Sequence, residues 1–135
     1  MAHAYTITAT TKASGWIVTI AETGAGASSE VEITQALLGK PIPPRGRIMR
    51  VKSARSAGTA ANFQPTIGTA TNPAGVTIAY QADLTSVSVG VDDAPTDGAT
   101  YALSGSSLFL RSKPDAGSDN TITTVIEIYP GWGRP

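Results

Sequence analysis

The 135-residue sequence contains no cysteine and a single histidine, His3. The lack of cysteine excludes disulfides, thiolate metal sites and cysteine nucleophiles. One histidine near the N-terminus excludes a histidine-based triad or a multi-histidine metal centre within one chain. We therefore interpret His3 as an exposed or capping residue, and not as a catalytic one.

Long apolar runs and a leader-like N-terminus are also missing. No segment approaches the roughly 18 apolar residues that a membrane span needs. The first ten residues, "MAHAYTITAT", lack the basic and apolar regions of a signal peptide. These absences predict a soluble protein that is made in the cytoplasm and has no membrane partner.

The composition that remains is that of a folded protein. Hydrophobic residues make up 41% of the chain and charged residues 15%, with no net charge. A disordered chain would carry more charge and fewer β-branched residues. The length fits one core, so we expect a single domain over residues 1–135 that ends in a short tail, residues 130–135.

Alternation of apolar and polar residues recurs along the sequence and predicts β strands. The segments "AYTITAT" (4–10) and "WIVTIAE" (16–22) are expected to pair as a hairpin across "TKASG". Their alternating apolar positions are Tyr5, Ile7, Ala9, Trp16, Val18 and Ile20. In "SEVEI" (29–33), Val31 and Ile33 are expected to point inward, and Thr34 to cap one helical turn, "TQALLG" (34–39).

The three prolines of "KPIPPRG" (40–46) predict a stiff surface connection. In "RIMRVKSAR" (47–55), Met49, Val51 and Ser53 are expected on one face. The segment 56–75 predicts a functional loop or an irregular edge strand. Five further strand candidates are "VTIAYQ" (76–81), "SVSVGV" (86–91), "TYALS" (100–104), "SLFLRSK" (107–113) and "NTITTVIEIY" (120–129). Eight or nine short strands with frequent turns predict an all-β protein, an antiparallel β sandwich that is jelly-roll-like.

Candidate chemical sites are few. "VDDAPTDG" (91–98) places Asp92, Asp93 and Asp97 close together, so it is either a calcium loop or, as we prefer, a solvated turn, because it lacks EF-hand spacing. "PDAGSDN" (114–120) has the aspartates and asparagine of a turn between strands. No glycine-rich loop opens a helix where a phosphate could bind. We therefore expect no catalytic residues, no cofactor, no metal and no enzyme activity.

The charges are unevenly distributed and indicate a surface for a protein partner. The basic candidates are Arg45, Arg47, Arg50, Lys52 and Arg55. They are expected to form an edge that meets an acidic surface, either the Asp92, Asp93 and Asp97 loop of a neighbouring copy or a carboxylate-rich capsid. No aromatic residue is interleaved with these cations and the net charge is zero, so nucleic-acid binding is not expected.

The C-terminal "YPGWGRP" (129–135) leaves the last strand at Pro130, and glycines flank Trp132. Two alternatives remain open for this aromatic side chain. Trp132, with Arg134, contacts a neighbouring subunit, or it folds back over Leu108 or Ile128 of its own sheet. Both residues belong to types that are enriched at interface hot spots.

The segment "SLFLRSKPDAGSDNTITTVIEIYPGW" (107–132), in a cysteine-free chain rich in Thr, Ala and Gly, resembles the decoration or head-cement proteins of tailed bacteriophages. The resemblance covers about the last fifth of the chain and contains no diagnostic motif. It implies a structural protein of the virion that lies on the capsid surface, bridges neighbouring major capsid proteins and forms a homo-oligomer, with a trimer favoured. The alternative is a carbohydrate- or receptor-binding module of a phage tail or fibre that uses Tyr80, Tyr101 and Trp132 as sugar-stacking platforms.

Overall fold

A computed structural model describes residues 2–12, 15–34, 45–103, 105 and 107–130 of the chain. The described residues form twelve β strands and one 3-10 turn, Gly75–Thr77. The strands are β1 (Ala4–Lys12), β2 (Gly15–Ala25), β3 (Val31–Thr34), β4 (Arg45–Ala57), β5 (Asn62–Phe63), β6 (Thr66–Gly68), β7 (Ile78–Gln81), β8 (Thr85–Ser86), β9 (Val91–Asp93), β10 (Ala99–Ala102), β11 (Ser107–Arg111) and β12 (Asn120–Pro130). The all-β prediction is confirmed, but the described residues contain twelve strands where eight or nine were expected. Most of the expected helical turn (34–39) and proline connection (40–46) lies outside the described residues, but Thr34 ends β3 and Arg45 and Gly46 begin β4. Of the expected tail (130–135), Pro130 is still part of β12, and residues 131–135 lie outside the described residues.

The strands pair antiparallel throughout and form three sheets. A six-stranded sheet has the order β1-β2-β12-β4-β10, and β9 pairs with β4 next to β10. A four-stranded sheet has the order β3-β11-β6-β7, and β5 pairs with β8. The β1–β2 hairpin is as predicted. The jelly-roll topology is not confirmed, because a jelly roll divides eight strands between two Greek keys, and the described strands are grouped in sheets of six, four and two.

The core lies between the two larger sheets. β2 and β12 contribute Val18 and Ile126 from the six-stranded sheet, and β3 and β11 contribute Ile33 and Leu110 from the four-stranded sheet, all with no solvent exposure. Phe63 of β5 joins the same continuous cluster. Because the apolar faces of the two sheets cover each other, the fold is a two-layer β sandwich.

The alternation in β4 is interrupted by a bulge. Arg50 pairs with Glu127 and Ile48 pairs with Ile128, so Met49 is the extra residue. Val51 and Ser53 are buried as predicted, whereas the core position beyond the bulge is taken by Ile48, and Met49 is only half-buried. A bulge changes which residues face the core, and a strict two-residue period cannot reveal it.

Two segments differ from the sequence-based expectation. Residues 56–75 contain β5 and β6, and their Phe63 and Ile67 are fully buried, so this segment supplies core. The expected strand 86–91 is mostly a turn between β8 and β9, in which Val89 is 80% exposed. Hydrogen bonds from the N–H groups of Val89 and Gly90 to the carbonyl of Ser86 close this turn.

Candidate functional site

The predicted basic surface is centred on β4, but β4 is not an edge strand. It pairs with β12 on one side and with β9 and β10 on the other. The expectation of a basic edge was therefore wrong, because the chain continues to β9 and β10 and covers that side. Arg45 and Lys52 are exposed and Arg55 is half-buried. Whether they contact another molecule stays a prediction.

Arg50 is paired with the acidic loop of its own chain. Its Nε and Nη2 donate to the two carboxylate oxygens of Asp92, each at 2.9 Å. The hydrogen bonds from Arg50 lower the pKa of the Asp92 carboxyl, and the same contact raises the pKa of the guanidinium. The basic and acidic side chains were expected to pair between copies. Arg50 instead pairs with Asp92 of its own chain.

Arg47 lies below the same acidic loop and is only 2% exposed. Its Nη1 donates to the main-chain carbonyl of Asp97 at 2.7 Å, and its guanidinium lies 5.2 Å from the centre of the Tyr129 ring. A side chain at Gly98 would collide with Met49 and Arg47. Arg47 is therefore covered by its own chain and is not displayed to a partner.

The three aspartates of the acidic loop have separate roles. Asp92 binds Arg50, and Asp93 accepts a 2.8 Å hydrogen bond from the hydroxyl of Tyr80. Asp97 has a positive φ of 58° in a turn that the hydrogen bond from Gly98 N–H to the Pro95 carbonyl closes. The predicted turn is therefore present at Pro95–Gly98, whereas Val91–Asp93 form β9 and not a turn. The described residues contain no group of three or more metal-binding side chains, so the calcium alternative has no support in them.

The aromatic residues assigned to sugar stacking lie in the core. Tyr80 is 5% exposed and Tyr101 is 3% exposed. Burial raises the pKa of both phenols, and in Tyr80 the hydrogen bond to Asp93 adds to the effect. A stacking platform must present a ring face to solvent, so these two residues cannot serve as one. Trp132 and Arg134 lie outside the described residues.

The segment "PDAGSDN" was predicted as local turn chemistry, yet its polar side chains bind distant backbone. Asp115 accepts hydrogen bonds from the N–H groups of Ala61 and Asn62, and the bonds from this backbone lower the pKa of its carboxyl. Asn120 is fully buried; its Oδ1 accepts from the N–H groups of Thr59 and Ala60. These contacts fasten residues 59–62 to the start of β12, and no sequence spacing indicates a pairing about 60 residues apart.

Glu22 is a buried carboxylate that sequence reasoning missed. It is 1% exposed, lies 3.0 Å from Nε2 of His3 and accepts a 2.7 Å hydrogen bond from Ser112. Burial raises the pKa of Glu22 above its usual value. A signal was present, because Glu22 continues the even-numbered face of Trp16, Val18 and Ile20. His3, expected to be exposed or capping, is half-buried and ties the N-terminal segment to β2.

The surface also carries exposed apolar side chains and an outer strand that could contact a partner. Val76, Leu84 and Val89 are 102%, 64% and 80% exposed. They lie in the turns next to β7 and β8. β1 is the long outer strand of the six-stranded sheet; within the described part of the chain it pairs with β2 alone. These exposed apolar side chains and this sheet edge are surfaces at which another macromolecule could bind.

Clefts in the described part of the molecule are small and open to solvent. One of about 250 Å³ lies between β7 and β10, one of about 310 Å³ lies beside Arg111, and one of about 220 Å³ lies beside Tyr80 and Asp93. Enclosed ligand sites usually occupy about 300–1,000 Å³ and are mostly apolar.

Comparison with known proteins gives no relative: no family model matches the chain, and neither curated proteins nor solved structures contain a match. Among the described residues, no helix is long and apolar enough to cross a membrane. The geometry and the sequence pattern are therefore the basis for any functional conclusion.

Proposed function

We propose that this chain is a non-enzymatic structural protein that binds an assembled phage capsid and stabilises it by bridging neighbouring capsid subunits. The capsid as partner comes from the resemblance of residues 107–132 to head-cement proteins. What the structure adds in support is a surface suited to binding, because exposed apolar side chains project from a well-packed sandwich.

The observation that carries the proposal is the exposure of Leu84 and Val89, in the two turns that flank β8. The Thr85 hydroxyl donates to the carbonyl of Gly90 at 3.2 Å, so the residues next to Leu84 and Val89 are held together. Large apolar side chains that folding leaves in water are typical of contact surfaces when they cluster. Burial of both side chains against a capsid subunit would contribute about 3–6 kcal/mol of favourable binding free energy. The loss of conformational freedom on binding would offset part of this.

Cosedimentation tests the proposal. Shells would be assembled from the major capsid protein of the phage that the proposal implies, and sedimented with the purified chain. We expect the wild-type chain to sediment with the shells and the Leu84→Ser/Val89→Ser variant to bind at least tenfold more weakly. Its melting temperature should stay near the wild-type value, because both side chains are already exposed.

A matched control is Thr23→Ser/Thr123→Ser, which alters two exposed side chains on the outer face of the six-stranded sheet. This control should bind as the wild type does. Absence of the wild-type chain from the shell fraction would contradict the capsid proposal. Unchanged binding of the Leu84 and Val89 variant would contradict the assignment of these two turns to the contact surface.

A further inference from the structure

We propose that β1 pairs edge to edge with β1 of a second copy, so that two six-stranded sheets join into one continuous antiparallel sheet. This inference concerns contact between copies in solution and is independent of capsid binding. It rests on the length, regularity and neutrality of one strand.

β1 is the longest open edge in the described part of the fold. It runs for nine residues, and all nine pair with β2 in unbroken register from Ala4–Thr23 to Lys12–Gly15. The other outer strands are much shorter: β3, β7 and β10 have four residues each, β9 has three, and β5 and β8 have two each. A long regular edge exposes alternate main-chain N–H and carbonyl groups that are ready to pair with another strand.

β1 also lacks the features by which proteins block strand addition. Shortness, bulges, prolines and charged side chains are the usual protections of an outer strand. From Ala4 to Thr11 the sequence "AYTITATT" contains no charged residue and no proline, and the register with β2 contains no bulge. Only Lys12, at the end, carries a charge. A strand with this composition is suited to a neutral partner strand.

The sequence of β1 is complementary to itself in the antiparallel direction. Complete overlap of nine residues requires a two-fold axis at Thr8, the central residue. In this register Ile7 stands opposite Ala9, Thr6 opposite Thr10, and Tyr5 opposite Thr11 of the other copy. Threonine pairs and apolar pairs across strands are stabilising, and a two-fold axis uses the same patch twice, as symmetric dimers do.

The same register keeps like charges apart. The two copies of Lys12 stand at opposite ends of the paired strands, roughly 27 Å from each other at about 3.4 Å per residue, which exceeds the screening length in physiological salt. Tyr5, which is 38% exposed, and the half-buried Ile7 lie on the inner face of β1. A second β1 would extend that face and cover both side chains further.

The contact is expected to be weak when it acts alone. One pair of strands buries less than the roughly 800 Å² per partner that is typical of stable complexes. We therefore expect a dissociation constant on the order of 100 µM for the full-length chain. Sedimentation velocity of the purified chain from about 10 µM to 1 mM, without capsids, measures it.

Charge substitutions at Thr6 and Thr10 test the register. Both residues are exposed on the outer face and stand opposite each other across the proposed axis. Thr6→Lys/Thr10→Lys and Thr6→Glu/Thr10→Glu each place two like-charged pairs in the contact, so each should weaken self-association about tenfold or more. An equimolar mixture of the two variants should associate again, because each cross-strand pair then combines Lys with Glu.

The matched control is Thr23→Lys/Thr123→Lys. It adds the same charge at two exposed threonines on strands that are paired on both sides. We expect it to associate as the wild type does. Circular dichroism establishes that each variant is folded, and the glutamate variant replaces the lysine variant if the latter does not fold.

The proposal is overturned if the wild type stays monomeric at 1 mM, which is also the result expected if the edge is reserved for a strand of another protein. It is equally overturned if the folded charge variants associate like the wild type, or if the mixture of folded variants stays monomeric. None of these results depends on capsid binding, so a failure of the capsid proposal is recognised separately.

Discussion

The two sides of the six-stranded sheet use their polar groups in opposite ways. On the side of β9 and β10, Arg50 is bound by Asp92, and Arg47 is buried below the acidic loop. On the side of β1, eight consecutive residues carry no charge, and in the described part of the chain the outer backbone edge has no partner strand.

This difference indicates that one side of the sheet contributes mainly to the stability of the fold and the other mainly to association with a partner. The charge pattern of the sequence predicted a basic interface, yet Arg47 and Arg50 make contacts within the chain. The neutral β1, which has no charge pattern, is the more open of the two sides. Changes on the internally bonded side should therefore act mainly on folding, and changes on the open side mainly on binding.

The largest expected effect comes from breaking the internal polar contacts at Asn120. The substitution Asn120→Ala removes the acceptor for Thr59 and Ala60 N–H and the donor to the Ala25 carbonyl. Leaving buried backbone groups without partners should lower the free energy of unfolding by about 3 kcal/mol. Urea denaturation measures the change. Ser118→Ala, an exposed position in the same turn, is the control. An unchanged urea midpoint would contradict the role of Asn120.

The next effect is expected from the tail that follows β12, residues 131–135. Deletion of residues 131–135 should weaken capsid binding or oligomer formation tenfold or more and leave the melting temperature nearly unchanged. The reason is that a large indole between two glycines is ordered only where a groove buries it. Trp132→Ala should reproduce the deletion. A lower melting temperature with intact binding would show that Trp132 covers its own sheet.

Glu22, which pairs with Tyr5 of β1, gives a smaller and pH-dependent effect. Burial raises the pKa of Glu22 in the folded protein above its usual value of 4.5, so the folded state binds this proton more tightly than the unfolded state. Stability from this group is therefore complete below pH 4.5 and is lost as pH rises through the folded pKa. Glu22→Gln cannot ionise and should lack this loss.

Urea midpoints between pH 4 and 8 measure the effect of Glu22. His3→Gln is the companion variant, since His3 is the histidine in contact with the carboxylate. Ser112 is the other polar group that faces it, through a hydrogen bond to the second carboxylate oxygen. Parallel pH profiles for the wild type and Glu22→Gln would show that Glu22 does not contribute to the pH dependence.

The smallest effect is expected from the exposed charges of β4. Arg50→Glu/Lys52→Glu should weaken capsid binding about threefold at low ionic strength and not measurably in about 0.5 M salt, because exposed charges act mainly through screened, long-range attraction. Binding titrations at several salt concentrations measure this. Arg50→Asp/Asp92→Arg, which keeps the internal pair, should bind as the wild type does. Equal binding of all variants at low salt would remove β4 from the contact surface.

The sequence was most informative where the signal is local. The β1–β2 hairpin and the inward positions Val31 and Ile33 followed from alternation, because a strand that is covered on one face needs an apolar residue at every second position. The turn at Asp97 and Gly98 followed from residues that tolerate positive φ. Glu22 was recoverable from the same alternation, which places it on the buried face.

Other features depend on where distant segments meet. The bulge at Met49 brings Ile48 into the core, and Asn120 binds backbone that lies about 60 residues earlier in the chain. Tyr80 and Tyr101 are equally compatible with a core or a surface role until both sheets are in place. The alternation of apolar and polar residues along one strand does not show which strand it pairs with. The bulge, the contacts of Asn120 and the burial of the two tyrosines could therefore not be derived from the sequence.

The amino-acid sequence by itself determined that this chain is an all-β protein with few candidate chemical groups, since backbone periodicity and residue chemistry are properties of neighbouring residues. Only the tertiary structure decided which strands are outer strands, which charges are paired within the chain and which aromatic residues are buried. The physical reason is that sheet order and side-chain burial arise from contacts between segments far apart in sequence. In this protein those contacts bury Arg47 and pair Arg50 with Asp92, while in the described part of the chain the neutral edge of β1 has no partner strand.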